Sequence, residues 1–123
     1  MNKYSDKSDV EINKAVAEKL DKPFSLNGEL VFVKVNILSG IVPYSTIFDP
    51  CNNPADAMPI IIENNISLHA PRLREGWMSE YTGSDDDVND GFQADYFDAH
   101  NKNPYRAAME VFLMMKDAEN EKI

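Results

Sequence analysis

The sequence has little of what marks several specialised classes of protein. Its single cysteine, Cys51, cannot form a disulfide within one chain, and no apolar run approaches the roughly 20 residues of a membrane-spanning helix. The opening residues MNKYSDKSDV lack the apolar segment of a secretory signal. The five glycines form neither phosphate-binding pattern, G-x-G-x-x-G or G-x-x-x-x-G-K. We therefore expect a soluble protein of a reducing compartment, without membrane contact and without a cofactor.

Basic residues are also scarce. Twelve Lys and Arg stand against 21 Asp and Glu, which gives a net charge of -9. This balance argues against direct nucleic-acid binding, which needs a basic surface, and favours a basic protein or a cationic ligand as partner. The imbalance is concentrated in residues 75–101, which contain no Lys or Arg. Their eight acidic residues are Glu75, Glu80, Asp85, Asp86, Asp87, Asp90, Asp95 and Asp98.

A length of 123 residues with 43% hydrophobic residues predicts a single domain with one core. We place this domain at residues 8–123 and expect the polar residues 1–7 to be mobile. In SDVEINKAVAEKL, Ser8 and Glu11 have the spacing of a capping box, and the apolar residues that follow recur at helical spacing. The domain is therefore predicted to open with an amphipathic helix.

Two strands are predicted after this helix. In ELVFVKVNIL, the residues Val31, Val33 and Val35 alternate with other side chains, as they do in a strand. GIVPYSTIF is a second candidate strand, and Pro43 favours a place at a sheet edge because proline cannot donate to a ladder.

The motif Asn-Pro-x-x-Ala occurs twice, from Asn53 and from Asn103, each time before an apolar run. Asparagine is a strong helix N-cap and proline fits the first helical position, so two helix starts are predicted. Pro59 conflicts with a helix that begins at the first motif, and taking Asp56 as the effective N-cap removes the conflict. The second motif opens the most apolar helix, which extends to about Ala118.

The remaining segments complete an α+β fold. ISLHA and GWMSEYT are predicted to form a hairpin, and residues 83–102 are predicted to form a long acidic loop. The element order is then α-β-β-α-β-β-α, which is typical of a small antiparallel sheet with helices packed on it.

Three blocks of this sequence, SDVEINKAVAEKL, YSTIFDPCNNPADAMPIIIENNISL and NPYRAAMEVFLMM, resemble the NinX family of small phage proteins, and more loosely the phage α/β/α-sandwich domains. The blocks follow the order of the family, whereas residues 75–101 follow no pattern of it. The resemblance implies a phage accessory protein in the cytoplasm of a bacterial host. It implies no activity and no catalytic residues.

Two kinds of catalytic or metal chemistry fit the sequence poorly. SDDDVNDG suggests a calcium loop, but no register supplies both the required glycine and the acidic residue at position 12. Cys51, His69 and Asp56 are the residue types of nucleophilic catalysis, but their spacing does not favour that arrangement. We therefore expect no metal site and no enzyme, and keep an enzyme as the third hypothesis.

Two binding hypotheses remain. The first is a non-enzymatic accessory protein that binds and inhibits a host protein with a basic surface, in host takeover or in defence against host immunity. The contact would be formed by residues 75–101, called the acidic segment below, whose carboxylates and interleaved aromatic residues would mimic DNA. The predicted contact residues are Tyr81, Asp85, Asp86, Asp87, Asp90, Phe92, Asp95, Tyr96 and Asp98.

The second hypothesis is a homo-oligomeric protein that sequesters a nucleotide-like small molecule. Arginine offers a planar fork to phosphate, and an aromatic ring can stack on a base. The predicted ligand-binding residues are Arg72, Arg74, Trp77 and Arg106.

Overall fold

The computed structural model of the protein describes residues 3–35, 44–71, 76–82 and 96–121. The elements in chain order are α1 (Asp9–Lys19), β1 (Phe24–Asn27), β2 (Leu30–Val35), β3 (Tyr44–Ile47), α2 (Pro54–Glu63), β4 (Ser67–His69), β5 (Trp77–Thr82), β6 (Tyr96–Asn101) and α3 (Pro104–Glu121). The predicted α+β class is confirmed, with the order α-β-β-β-α-β-β-β-α. The strands form two antiparallel sheets of three strands, β1-β2-β3 and β4-β5-β6, where the sequence predicted one small sheet.

The first helix begins with the predicted capping box. The Ser8 hydroxyl accepts a hydrogen bond from the backbone N–H of Glu11, and the Glu11 carboxylate accepts one from the backbone N–H of Ser8. Two otherwise unpaired N–H groups at the start of α1 are thereby satisfied. One side of α1 is then buried in the core through Ile12, Val16 and Ala17.

A strand that the sequence did not reveal, β1, forms a hairpin with β2. Asn27 pairs with Leu30, so the turn consists of Gly28 and Glu29, and Gly28 has a φ of 64° that favours glycine. No strand was predicted between α1 and β2. Since three of the four β1 residues are exposed, no apolar alternation distinguishes this strand from a loop.

The first Asn-Pro motif caps α2 directly. The Asn53 side chain accepts a hydrogen bond of 3.0 Å from the backbone N–H of Ala55, and Pro54 takes the first helical position. The predicted cap at Asn53 is therefore confirmed, and the alternative with Asp56 as the effective N-cap is wrong. Its carboxylate instead accepts a hydrogen bond of 2.9 Å from the backbone N–H of Asp49 in the preceding loop.

Pro59 therefore lies inside α2, where its missing N–H removes one helical hydrogen bond. Burial of Ala57, Ile60 and Ile61 on one side of the helix offsets this cost. The helix ends at Glu63 with Asn64 as its C-cap, and Asn65 adopts a left-handed conformation with φ 56°, which asparagine tolerates.

The predicted hairpin of ISLHA and GWMSEYT is confirmed, because β4 pairs with β5 in antiparallel register. Residues 96–101 differ from the predicted acidic loop over residues 83–102, since they form β6 and pair with the other side of β5. Residues 83–95 lie outside the described residues.

The third helix is the centre of the core. It begins at Pro104 as predicted, extends beyond Ala118 to Glu121, and contacts α1, α2 and all three strands of the second sheet. Its fully buried residues are Ala107, Ala108, Met109, Glu110, Val111, Phe112 and Leu113. None of the helices in the described part of the chain has the length and apolar character needed to cross a membrane.

The mobility expected of residues 1–7 stays a prediction, but the described residues 3–7 make several contacts with α3. The buried guanidinium of Arg106 donates hydrogen bonds to the backbone carbonyls of Tyr4 (2.9 Å) and Lys7 (2.7 Å). The Tyr4 hydroxyl also donates a hydrogen bond to Asp117 near the end of α3. These contacts hold the N-terminal segment against α3, and the local sequence gives no sign of them because their partners are about a hundred residues away.

Candidate functional site

The outer face of the sheet β4-β5-β6 carries both described acidic residues of the segment 75–101. Glu80 of β5 lies directly opposite Asp98 of β6, so the two side chains share one face of the sheet. The adjacent pair, Ser79 and Ala99, is buried and therefore lies on the opposite face, towards α3. We use the name acidic face for the outward residues His69, Glu80, Tyr96, Asp98 and His100.

Each carboxylate on the acidic face contacts one histidine. His69 Nε2 lies 3.1 Å from Glu80 Oε2, and His100 Nε2 lies 3.2 Å from Asp98 Oδ2. Two carboxylates placed opposite each other in a sheet repel. The contacts with the histidines stabilise the pair little, because both histidine side chains are about half exposed. Within the described ranges, no group of three or more His, Cys, Asp or Glu is placed to hold a metal ion.

The negative charge of the acidic face affects the pKa of Tyr96. Partial desolvation raises the pKa of its phenol, and the charges of Glu80 and Asp98 raise it further. Because 50% of Tyr96 is exposed, the protonated phenol offers a partner both an aromatic surface and a hydrogen-bond donor beside two carboxylates.

The structure separates the predicted partner-binding residues. Tyr96 and Asp98 lie on the acidic face, whereas Tyr81 lies on the opposite face, where its ring stacks on Phe97 with the centroids 6.5 Å apart. Both rings pack against the core. The predicted residues Asp85, Asp86, Asp87, Asp90, Phe92 and Asp95 lie outside the described residues.

Glu80 and the two histidines were not among the predicted contact residues. The alternation in WMSEYT places Glu80 on the face opposite Trp77 and Tyr81, and the alternation in YFDAHN separates the outward residues of β6 from Phe97 and Ala99. These two patterns were the available signal. What they could not show is that β5 and β6 are neighbours, which places Glu80 beside Asp98.

The described part of the chain does not bring together the residues predicted to bind a small ligand. Arg106 is buried, and its guanidinium binds Glu110 (2.7 Å), Asp9 (2.6 Å) and the carbonyls of Tyr4 and Lys7. These partners leave it little capacity for a phosphate. Trp77 lies on β5 opposite Asn101, while Arg72 and Arg74 lie outside the described residues.

The residues named for nucleophilic catalysis have separate partners. Cys51 is fully buried; burial raises the pKa of its thiol, and the nearby charge of Asp9 raises it further. His69 contacts Glu80 on the acidic face, and Asp56 binds the backbone of Asp49. A buried thiol held in its protonated form is a poor nucleophile, so these contacts do not favour the enzyme hypothesis.

Cys51 should therefore react slowly with thiol reagents. We expect iodoacetamide to modify it at least roughly a hundredfold more slowly in the folded protein than in urea, since reaction requires opening of the core. Mass spectrometry of timed samples gives both rates, with glutathione in the same solution as the control thiol. Rapid modification of the folded protein would show a reactive thiol and revive the enzyme hypothesis.

Cys51 also lies in a polar junction that joins the starts of the three helices. Buried Asn13 of α1 donates to Asp49 (2.8 Å) and accepts from the backbone N–H of Cys51 (3.1 Å). Asn103, before α3, donates to the backbone carbonyl of Cys51 (2.7 Å) and to the side chain of Asn52 (3.0 Å). The three sequence blocks that carry the family resemblance thus meet in one network of hydrogen bonds.

A known protein family matches the part of the chain that contains this hydrogen-bond network and the acidic face. The family model described as Bacteriophage P22, NinX matches residues 3–116, which include all three helix starts and the acidic face. No curated protein and no solved structure matches the chain. The matched range covers most of the chain, and the protein belongs to the NinX family of phage proteins.

Proposed function

We propose that this phage protein binds a basic surface of a host protein through the acidic face and inhibits that protein, in host takeover or against host defence. The observation that carries the proposal is the direct opposition of Glu80 and Asp98. Two carboxylates in this position lower the stability of the sheet by about 0.2–1 kcal/mol relative to a neutral pair. A cationic partner would relieve the repulsion, so the arrangement favours the bound state.

The charge of the whole chain supports the same partner. The net charge is -9, and residues 75–101 contain eight acidic residues without Lys or Arg. A surface of one sign accelerates encounter with a partner of the opposite sign and weakens contact with other acidic molecules. A host protein whose basic surface binds nucleic acid has the required charge.

Sequestration of a nucleotide-like molecule remains a prediction that depends on Arg72, Arg74 and Trp77. Of the four residues predicted to bind the ligand, Arg106 is already occupied by contacts within the protein. We therefore rank this hypothesis below binding of a host protein.

The test compares two variants that each remove two negative charges. Glu80→Gln/Asp98→Asn neutralises the acidic face, whereas Glu18→Gln/Glu63→Gln neutralises exposed residues of α1 and α2. We expect the first variant to bind its host protein about tenfold more weakly than the wild type, and the control to bind within about twofold. Pull-down from host lysate, quantified against bait concentration, measures both.

Thermal unfolding of the same variants tests whether weaker binding comes from a loss of stability rather than from the acidic face. Neutralising the acidic face should leave stability unchanged or raise it by up to about 1 kcal/mol, because the cross-strand repulsion is removed. If the two variants retain the host protein equally well, the acidic face is not the contact surface and the proposal fails.

A further inference from the structure

A groove of about 650 Å³ lies beside the acidic face, along β6. Five consecutive residues of this strand, 96–100, form one side of it, and the second half of α3 forms another. The N-terminal segment contributes the remaining described lining. The residues from outside β6 are Lys3, Ser5, Met114, Asp117 and Ala118.

The groove adjoins a strand edge. In the order β4-β5-β6, β6 is the last strand, and within the described ranges no strand pairs with its other side. Such an edge presents backbone N–H and C=O groups to which an extended segment can add as a further strand. The groove can then receive those side chains of the added segment that point towards α3.

The lining suits a long cationic side chain. Phe97, Ala99 and Met114 provide apolar surface, and Asp98 and Asp117 provide carboxylates. This combination fits lysine and arginine, because their aliphatic stems pack on apolar surface and their charged ends pair with carboxylates.

Lys3 already shows how such a side chain is bound. Its Nζ lies 3.2 Å from Asp117 Oδ2 and 5.4 Å from the centre of the Tyr4 ring, and its side chain remains 69% exposed. An ion pair this exposed contributes little to stability, so an incoming cation can displace it.

Asp117 is suited to bind that incoming cation. Burial by itself raises the pKa of Asp117, but hydrogen bonds from Tyr4, Lys3 and Lys19 outweigh it and lower the pKa below its ordinary value. The carboxylate is therefore charged at neutral pH.

We propose that the groove receives an extended basic segment of the host protein, which pairs with the edge of β6 and places a Lys or Arg side chain at Asp117 in place of Lys3. This inference rests on the proposed function, since it specifies which part of the basic host protein makes the contact. It adds main-chain pairing and one defined side-chain position to the electrostatic attraction of the acidic face.

The probe is a fluorescent peptide of alternating Lys and Thr, about eight residues long so that it spans β6. Its matched control carries N-methyl groups on alternate backbone amides, which keep the charge and remove the strand hydrogen bonds. We expect the wild type to bind the control at least about tenfold more weakly than the probe, because two or more main-chain hydrogen bonds are lost. Hydrogen exchange of the backbone amides of residues 96–101 should slow when the probe is added and should not slow when the methylated control is added.

Two variants test the displaced lysine. Lys3→Ala should bind the probe about two- to fivefold more tightly than the wild type, because the internal competitor is removed. Lys14→Ala, which removes the same charge from an exposed position of α1, should change binding less. Equal effects of the two variants would overturn the assignment of Lys3.

The outcomes separate this inference from the proposed function. Equal binding of the probe and the methylated control, or no binding of either, overturns strand addition. If the probe also fails to compete with the captured host protein, while Glu80→Gln/Asp98→Asn still loses that protein, the groove is excluded and the acidic face remains the contact. If that double variant retains the host protein, the proposed function fails whatever the peptides do.

Discussion

Glu110→Ala should lower the free energy of unfolding by about 3–5 kcal/mol, because it leaves a buried guanidinium without its main counter-ion. The Glu110 side chain is fully buried, and its Oε2 accepts a hydrogen bond of 2.7 Å from Arg106 Nε. Burial by itself lowers the pKa of Arg106, but hydrogen bonds to Glu110 and Asp9 outweigh it and raise the pKa, so the group stays charged. Urea denaturation followed by circular dichroism measures the loss.

The same helix provides a matched control. Glu119 pairs with Lys116 at 3.4 Å, but both side chains reach solvent. Glu119→Ala should therefore cost at most about 0.5 kcal/mol. Arg106→Met/Glu110→Leu should cost less than Glu110→Ala, since no charge stays buried, although the carbonyls of Tyr4 and Lys7 lose their donor. Similar losses for Glu110→Ala and Glu119→Ala would show that the buried pair does not support the fold as described.

Asn103→Ala should cost about 2–3 kcal/mol, more than twice the cost of Asn53→Ala, although both residues open the same sequence motif. The Asn103 side chain accepts from the backbone N–H groups of Tyr105 (2.9 Å) and Arg106 (3.4 Å). It also donates to the carbonyl of Cys51 and to Asn52, which joins α3 to the loop before α2. Its loss removes a helix cap and a long-range link together.

Asn53 is the control because it performs the capping role alone. Its side chain accepts from Ala55 N–H and, among the described residues, makes one further hydrogen bond, a donation of 3.3 Å to Asp56 in an exposed position. Asn53→Ala should cost about 1 kcal/mol, the usual value of an N-cap. Asn103→Asp keeps the capping oxygen and removes the donor, so its cost should lie between the two alanine variants. Equal costs for the two alanine variants would contradict a linking role for Asn103.

These two asparagines illustrate how far the sequence predicts the fold. The capping box at Ser8 and both Asn-Pro starts follow from local hydrogen bonding, which a short stretch of sequence contains in full. The second role of Asn103 does not, because its partner Cys51 is 52 residues away. For the same reason, the i, i+4 spacing of Arg106 and Glu110 is a local signal for their ion pair, whereas no local signal marks the contact of Arg106 with Asp9.

The strands show a different limit. β2 and β5 alternate clearly and were predicted, whereas β1 buries too little apolar surface to produce a pattern. β6 alternates, but the acidic residues around it favoured a loop, and only its pairing with β5 shows that Tyr96 and Asp98 face outwards beside Glu80. The sequence therefore located the acidic segment but not the arrangement of its described residues in the acidic face.

Native mass spectrometry of the protein, isolated gently from the cytoplasm of a bacterial host, tests the central claim most directly. We expect the wild type and Glu18→Gln/Glu63→Gln to retain the same host polypeptide, and Glu80→Gln/Asp98→Asn to lose it. This result would show that a host protein binds through the acidic face. Retention of a mass of a few hundred daltons per protomer, or of the host polypeptide by all three proteins, would contradict the account.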